Sequence, residues 1–174
     1  CLFSSLRLKY VDISYIKTLS KDESLMSKIS GIFAQANKEE IKFLLETEAK
    51  TICAEYGIPV TKFMVAKTAE EAVKFAEKIG YPVVMKIVSP DVIHKFDVGG
   101  VMVNLKTSKE VEGAFKKILE NVKKNMPKAK ILGITVQEMA PESTEVIVGA
   151  IKDPQFGQTL MFGLGGIFVE ILKD

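Results

Sequence analysis

The sequence predicts a mixed α/β (α+β) fold, an α/β first part followed by a β-rich second part, and three observations carry this. Helix-like and strand-like apolar periods alternate from Asn37 to about residue 136. From Ile131 the texture turns to short strands separated by Gly, Pro and Ser turns. The length of 174 residues suits one compact domain or two small lobes.

Taken in order, residues 1–36 show no clean period, and Lys21 to Ser30 is polar and serine-rich, so this stretch reads as an arm or leader. Asn37 can cap a helix with Glu40 as its capping-box partner. Ile41, Leu44, Leu45, Ala49, Ile52, Cys53 and Tyr56 trace one face of that helix, and Gly57 and Pro59 stop it. Lys62 to Val65 reads as a short strand. Thr68 with Glu71 opens a second helix whose buried stripe is Ala72, Val73, Phe75, Ala76 and Ile79, closed by Gly80 and Pro82. Two apolar strands follow, Tyr81 to Val88 and Val101 to Leu105. Thr107 with Glu110 opens a third helix with Val111, Ala114, Phe115, Ile118 and Val122 facing inward. Strands are then expected over Ile131 to Met139, Glu145 to Ile151, Thr159 to Phe162 and Ile167 to Leu172, with turns at Ala140 to Ser143, Asp153-Pro154 and Gly163 to Gly166.

Composition narrows the function classes. A content of 47% hydrophobic and 26% charged residues is that of an ordinary globular protein. The net charge of +2 argues against a dedicated nucleic-acid binder. Arg7 is the only arginine among 24 basic residues, so any phosphate site must use lysine, backbone N–H groups or a metal in place of arginine forks. Cys1 and Cys53 are too few for a disulfide framework, no CxxC pair exists for zinc, and Cys53 reads as a core residue in a reducing compartment. Charged residues interrupt the N-terminus too often for a signal peptide. No stretch approaches the roughly 18 apolar residues of a membrane span. The expectation is a soluble, cytoplasmic protein with no membrane contact. The chain starts with Cys1 and stops at Asp174 directly after an apolar run, so either end is expected to be cut.

The chemistry concentrates between the two apolar strands. Lys86 is a lone charge among Val83, Val84, Met85, Ile87 and Val88, and the loop Ser89 to Gly100 holds His94, the only histidine. Lysine is a compact point charge for phosphate oxygens. Glycines allow backbone N–H groups to approach an anion, and an imidazole can accept and release a phosphoryl group. Each feature has a plain alternative: a surface histidine, a lysine snorkelling from an edge strand, a hairpin turn at Gly99-Gly100. Their coincidence within fifteen residues favours the centre of a phosphoryl-transfer site in an ATP-using enzyme. Gly99 and Gly100 are expected to let the loop swing.

Further on, Val136 to Pro141 ends a strand in a linker where Met139 can wall an adenine ring and Gln137 with linker backbone groups can bond its edge. Glu145 could reach ribose hydroxyls. Glu170 and Asp174 share a face if the chain stays extended, and one or two carboxylates are what Mg²⁺ accepts on nucleotide phosphates. An ordinary turn and an ordinary charged strand end remain the alternatives. Gly163-Leu164-Gly165-Gly166 matches neither a P-loop nor the dinucleotide fingerprint and reads as a turn near ligand.

The runs Tyr81 to Pro90, His94 to Val101, Gln137 to Pro141, Thr144 to Val146 and Gly163 to Glu170 together resemble the ATP-grasp subunit (beta subunit) of ADP-forming acetyl-CoA or acyl-CoA synthetases. The resemblance covers roughly residues 38 to 174 and not the first 36. It implies an ATP-grasp fold with nucleotide in the cleft between two lobes. The expected division is an arm over 1–36, a first lobe with the phosphate-binding loop over 37–136, and a hinge with a β-rich second lobe over 137–174, incomplete at its C-terminus.

The resemblance further implies that Lys86, with Lys95, binds nucleotide phosphates. Gln137, Glu138, Met139 and Ala140 would form the adenine hinge, Glu145 would hold the ribose, and Mg²⁺ would accompany the nucleotide. His94 would be a transient phosphohistidine relaying phosphate to ADP. The implied reaction is acyl-CoA + ADP + phosphate ⇌ acid + CoA + ATP. Its partner would be a CoA-binding alpha subunit carrying a first phosphohistidine. The rivals are another ATP-grasp ligase acting through an acyl-phosphate, which needs no phosphorylatable histidine, and a non-catalytic nucleotide-sensing module.

Overall fold

The computed structural model describes residues 26–38 and 44–165. In chain order its elements are α1 (Met26–Lys38), α2 (Glu46–Glu55), β1 (Phe63–Ala66), α3 (Ala69–Ile79), β2 (Val83–Val88), β3 (Val101–Leu105), α4 (Ser108–Asn125), β4 (Gly133–Glu138), β5 (Val146–Asp153) and β6 (Gly157–Leu164). Two units organise them. Thr61–Ala140 forms one; the chain up to Val60 and the chain from Pro141 form the other.

The Thr61–Ala140 unit is an antiparallel sheet of order β1-β4-β2-β3, with α3 and α4 packed on one face. Strand alternation explains the packing. Val83, Met85 and Ile87 of β2 and Ile134 and Val136 of β4 are fully buried in one cluster with Ala72 and Ala76 of α3. Val111, Ala114, Phe115, Ile118 and Val122 of α4 complete that cluster, as the helical period predicts. Both helices begin on a threonine N-cap: Thr68 Oγ1 accepts from Glu71 N–H and Thr107 Oγ1 from Glu110 N–H, each at 3.2 Å. The glutamates reach one residue further back than a capping box requires. Glu71 accepts from Lys67 N–H at 2.7 Å and Glu110 from Lys106 N–H at 2.6 Å.

In the second unit, α1 packs on α2 through Ile29, Phe33, Ala36, Leu44 and Ile52. Asn37 does not cap a helix that follows it; it lies in the last turn of α1, and Glu40 and Ile41 are outside the described residues. The next helix is capped at Leu45, eight residues later than the expected cap at Asn37. Leu45 has no side-chain acceptor to offer, and Glu48 supplies the closing bond by accepting from Leu45 N–H at 2.8 Å. Lys50 is buried on α2 and paired with Glu46 at 3.4 Å. Cys53 is buried there too, and that burial pushes its thiol above the ordinary range.

The chain from Pro141 folds into the two-stranded hairpin β5–β6. Its second strand runs through Gly163 and Leu164, so the expected turn at Gly163 to Gly166 does not begin there. Gly165 extends the ladder by donating to the Glu145 carbonyl at 2.8 Å. A Cβ at Gly165 would lie 3.2 Å from Glu145 backbone, a tight contact at that crossing. The expected strand Ile167 to Leu172 lies outside the described residues. Among the described residues no helix is long and apolar enough to cross a membrane.

Candidate functional site

Strand alternation places the candidate residues of the Thr61–Ala140 unit on one surface. If Val83, Met85 and Ile87 face the helices, Val84, Lys86 and Val88 face the other way. The same parity on β4 turns Thr135 and Gln137 to that second face. Lys86 pairs with Thr135 and Val84 with Gln137, so Gln137 is the diagonal neighbour of Lys86, about 7–8 Å away and within reach of long side chains. Thr135 Oγ1 donates to the Lys86 carbonyl at 3.1 Å and pins the two strands at this point. Thr135 and Gln137 are buried and Lys86 is half-buried. Phe63 and Val65 of β1 continue the same face beside Gln137 and Thr135. Lys86 therefore sits on an interior strand, between β4 and β3; snorkelling from an edge strand does not describe it.

The His94 loop leaves β2 two residues beyond Lys86 and returns at Val101, which is the β3 partner of Lys86. His94 is exposed and Lys95 half-buried. The two glycines behave differently from expectation. Gly99 N–H donates to the Phe96 carbonyl at 3.0 Å and Gly100 N–H to the Lys95 carbonyl at 2.7 Å, so both are committed within the loop and are not offered to an anion. Gly99 lies at φ +65° with room for no Cβ, which would come 2.6 Å from Asn121 Nδ2; at Gly100 a Cβ would come 2.7 Å from Ile87 Cγ2. Close approach to α4 and β2 is one reason for glycine here.

The linker after β4 is also tied down. Glu138 N–H donates to the Lys62 carbonyl at 2.9 Å and Met139 N–H to the Pro82 carbonyl at 3.3 Å. Glu138 Oε2 accepts from Lys62 N–H at 3.3 Å. These two linker N–H groups are therefore engaged with the protein. Met139 and Ala140 are half-buried. Glu145 belongs to the other unit, half-buried at the start of the hairpin. Glu170 and Asp174 lie outside the described residues, and among the described residues no three His, Cys, Asp or Glu side chains converge as a metal site would require.

The sheet with two helices on one face and a lysine on the other has a family. The ATP-grasp domain matches residues 35–174. The chain belongs to the ATP-grasp family. This ATP-grasp chain is 57% identical over 137 residues to the acetate–CoA ligase (ADP-forming) I subunit beta of Pyrococcus furiosus, a match covering 79% of this chain and 59% of that subunit. It is also similar to a solved Ca. Korarchaeum cryptofilum dinucleotide forming acetyl-coenzyme A synthetase 1 in complex with coenzyme A, Ca-AMPCP and HgCl⁺. There the TM-score is 0.79 and the identity 56%, over 83% of this chain and 63% of that one. A second structure of that enzyme, in complex with coenzyme A and Mg-AMPPCP and with its phosphohistidine segment pointing towards the nucleotide binding site, matches with a TM-score of 0.70 and 48% identity, over 85% of this chain and 62% of that one. The ATP-grasp chain thus spans about three-fifths of the length of these relatives.

Two residues that sequence reasoning passed over join the site. Asn121 and Asn125 of α4 donate to the carbonyls of Gly99 and Val98, at 3.1 and 3.3 Å. Their only sequence signal was a spacing of four, which puts two amides on one helix face.

Proposed function

We propose that this chain is the ATP-grasp part of an ADP-forming acid–CoA ligase, catalysing acyl-CoA + ADP + phosphate ⇌ acid + CoA + ATP together with a CoA-binding partner subunit. The observation that carries this is the convergence of three features in one sheet: Lys86 on β2, Gln137 one diagonal step away, and a histidine loop that returns to the sheet opposite Lys86. The similarity to acetate–CoA ligase subunits supports the reaction class, and the name of the Pyrococcus subunit supports a second subunit. The reaction belongs to the cytoplasm, where these nucleotides are made and used.

In this reading Lys86 and Lys95 neutralise nucleotide phosphates, as point charges that leave phosphate geometry free. Gln137 with the Glu138 to Ala140 linker reads the adenine edge, Met139 walls the ring, and Glu145 bonds the ribose. Mg²⁺ takes most of its ligands from phosphates and water, so one or two carboxylate oxygens complete its shell; Glu170 and Asp174 offer the right donor type. Bound there, the ion would offset phosphate charge.

His94 is the phosphoryl carrier. In the direction of labelling by ATP, an unprotonated imidazole nitrogen attacks the γ-phosphorus. The bond from that phosphorus to the β,γ-bridging oxygen breaks, ADP leaves with the electron pair, an N–P bond forms and the ring loses one proton to solvent. In the opposite direction phosphohistidine makes ATP from ADP. An acyl-phosphate ligase or a nucleotide sensor would have no use for that group. The test is incubation with Mg²⁺ and [γ-³²P]ATP. Wild type should acquire label that is lost in acid and kept in base, and His94→Ala should acquire none while retaining most of its ADP affinity. Equal labelling of His94→Ala would remove His94 from the reaction.

A further inference from the structure

The loop that carries His94 is held at both ends and projects only in the middle. At its start, Ser89 Oγ accepts from Asp91 N–H at 3.2 Å, Asp91 Oδ2 accepts from Lys130 N–H at 2.6 Å, and Val92 is buried in the core. At its end, the Asn121 and Asn125 amides hold two consecutive carbonyls, and Gly99 and Gly100 are seated too closely on Asn121 and Ile87 to admit a side chain. Between these anchors Ile93 and Phe96 are 62% and 63% exposed, and His94 lies between them. Two large apolar side chains held in water on either side of an imidazole do nothing for the core. What fixes the histidine is the anchoring, and on the C-terminal side that anchoring is α4.

We infer that Asn121, supported by Asn125, is a positioning residue for phosphoryl transfer: it docks the Gly99 end of the loop on α4 and so sets where the His94 imidazole meets phosphorus. This rests on the reading of His94 as the phosphoryl carrier. Attack at phosphorus needs the nucleophile close and in line, and a misplacement of about 1 Å can cost about a hundredfold in rate. Removing the Asn121 amide leaves the Gly99 carbonyl without this donor and opens a space beside a glycine already at positive φ. The imidazole itself is untouched. Nucleotide recognition, which the reading assigns chiefly to β2 and the linker after β4, should be spared. A residue that merely stabilised the fold would lower the melting temperature and leave the labelling rate of the folded fraction unchanged.

The experiment uses the full chain with Mg²⁺ and [γ-³²P]ATP, and measures the initial rate of acid-labile labelling, ADP affinity by calorimetry and the melting curve. Asn121→Ala should label about ten- to a hundredfold more slowly with ADP affinity within about threefold of wild type. Asn125→Ala, an exposed position that loses only the outer bond, should slow labelling less and serves if Asn121→Ala does not fold. Gly99→Ala, whose Cβ would displace the Asn121 amide, should slow labelling too, and the double variant with Asn121→Ala should be slower than Gly99→Ala by much less than the product of the two effects. If His94→Ala loses its label while the folded Asn121 and Asn125 variants label at the wild-type rate, the positioning role is wrong and the carrier reading survives. If His94→Ala still labels, the carrier reading fails and this inference with it.

Discussion

Lys86 shows how much a single residue can declare. Its neighbours Val83, Met85 and Ile87 are fully buried, and the cation occupies the opposite face of an interior strand, beside Thr135 and diagonal to Gln137. A charge in such a position stands out in the sequence because the run around it is otherwise apolar. Lys86→Ala should weaken Mg-ADP binding by roughly 1.5–3 kcal/mol, the range for a hydrogen bond to a charged group, which is about a 10- to 150-fold rise in Kd. Calorimetry checks this, and an unchanged Kd would take Lys86 out of the nucleotide site. Asn121 declares nothing comparable. Its partner carbonyl is 22 residues away in sequence, and only the rotation of α4 about its axis brings the amide over Gly99.

Among the elements, the helices with local signals were legible and the one without was not. Thr68 with Glu71 and Thr107 with Glu110 mark starts that depend only on neighbouring residues, and the inward stripe of α4 follows from a period of 3.6. Helix α1 has Ile29, Phe33 and Ala36 on one face, but serine, glycine and glutamine between them mask the period until α2 supplies a surface to pack against. Leu45 hides the start of α2 in the same way, because the closing bond comes from Glu48 alone. The β5–β6 turn offers an element-level test. Asp153 Oδ1 accepts from the N–H groups of Phe156 and Gln155, each at 2.8 Å, and those bonds hold its carboxyl below the ordinary aspartate range. The carboxylate therefore stabilises the folded turn above the pH where a free aspartate titrates, and that support is lost as pH falls through the lower, folded value. The Gln155 and Phe156 amide shifts should titrate together with a midpoint below that of a free aspartate, and Asp153→Ala should abolish the transition. A midpoint at the ordinary aspartate value would show that the bonds do not persist in solution.

For the whole molecule, the ATP-grasp assignment was readable because several motifs occur in order over most of the chain, which no single turn or lysine could establish. These residues include a reading for nucleotide and for a phosphoryl carrier, and none for coenzyme A. The chain alone should therefore label on His94 but should not form ATP from acetyl-CoA, ADP and phosphate. Adding a CoA-binding subunit that carries the first phosphohistidine should start turnover, followed by coupled ATP detection. Robust coenzyme A-dependent ATP formation by the single purified chain would defeat the two-subunit proposal.

The sequence by itself determined what depends on near neighbours and on pattern: the helix caps at Thr68 and Thr107, the buried stripe of α4, the charge at Lys86, the lone histidine in its loop, and the family those motifs spell out. Tertiary structure alone decided the strand order β1-β4-β2-β3, which makes Lys86 interior and brings Gln137 to its side from 51 positions further along the chain. It also decided that Gly99 and Gly100 are seated against α4 and β2 too closely to admit a side chain. The physical reason is common to both. Side-chain parity and capping are fixed within a few residues, whereas register, and the space beside a glycine, depend on which distant surface arrives against it.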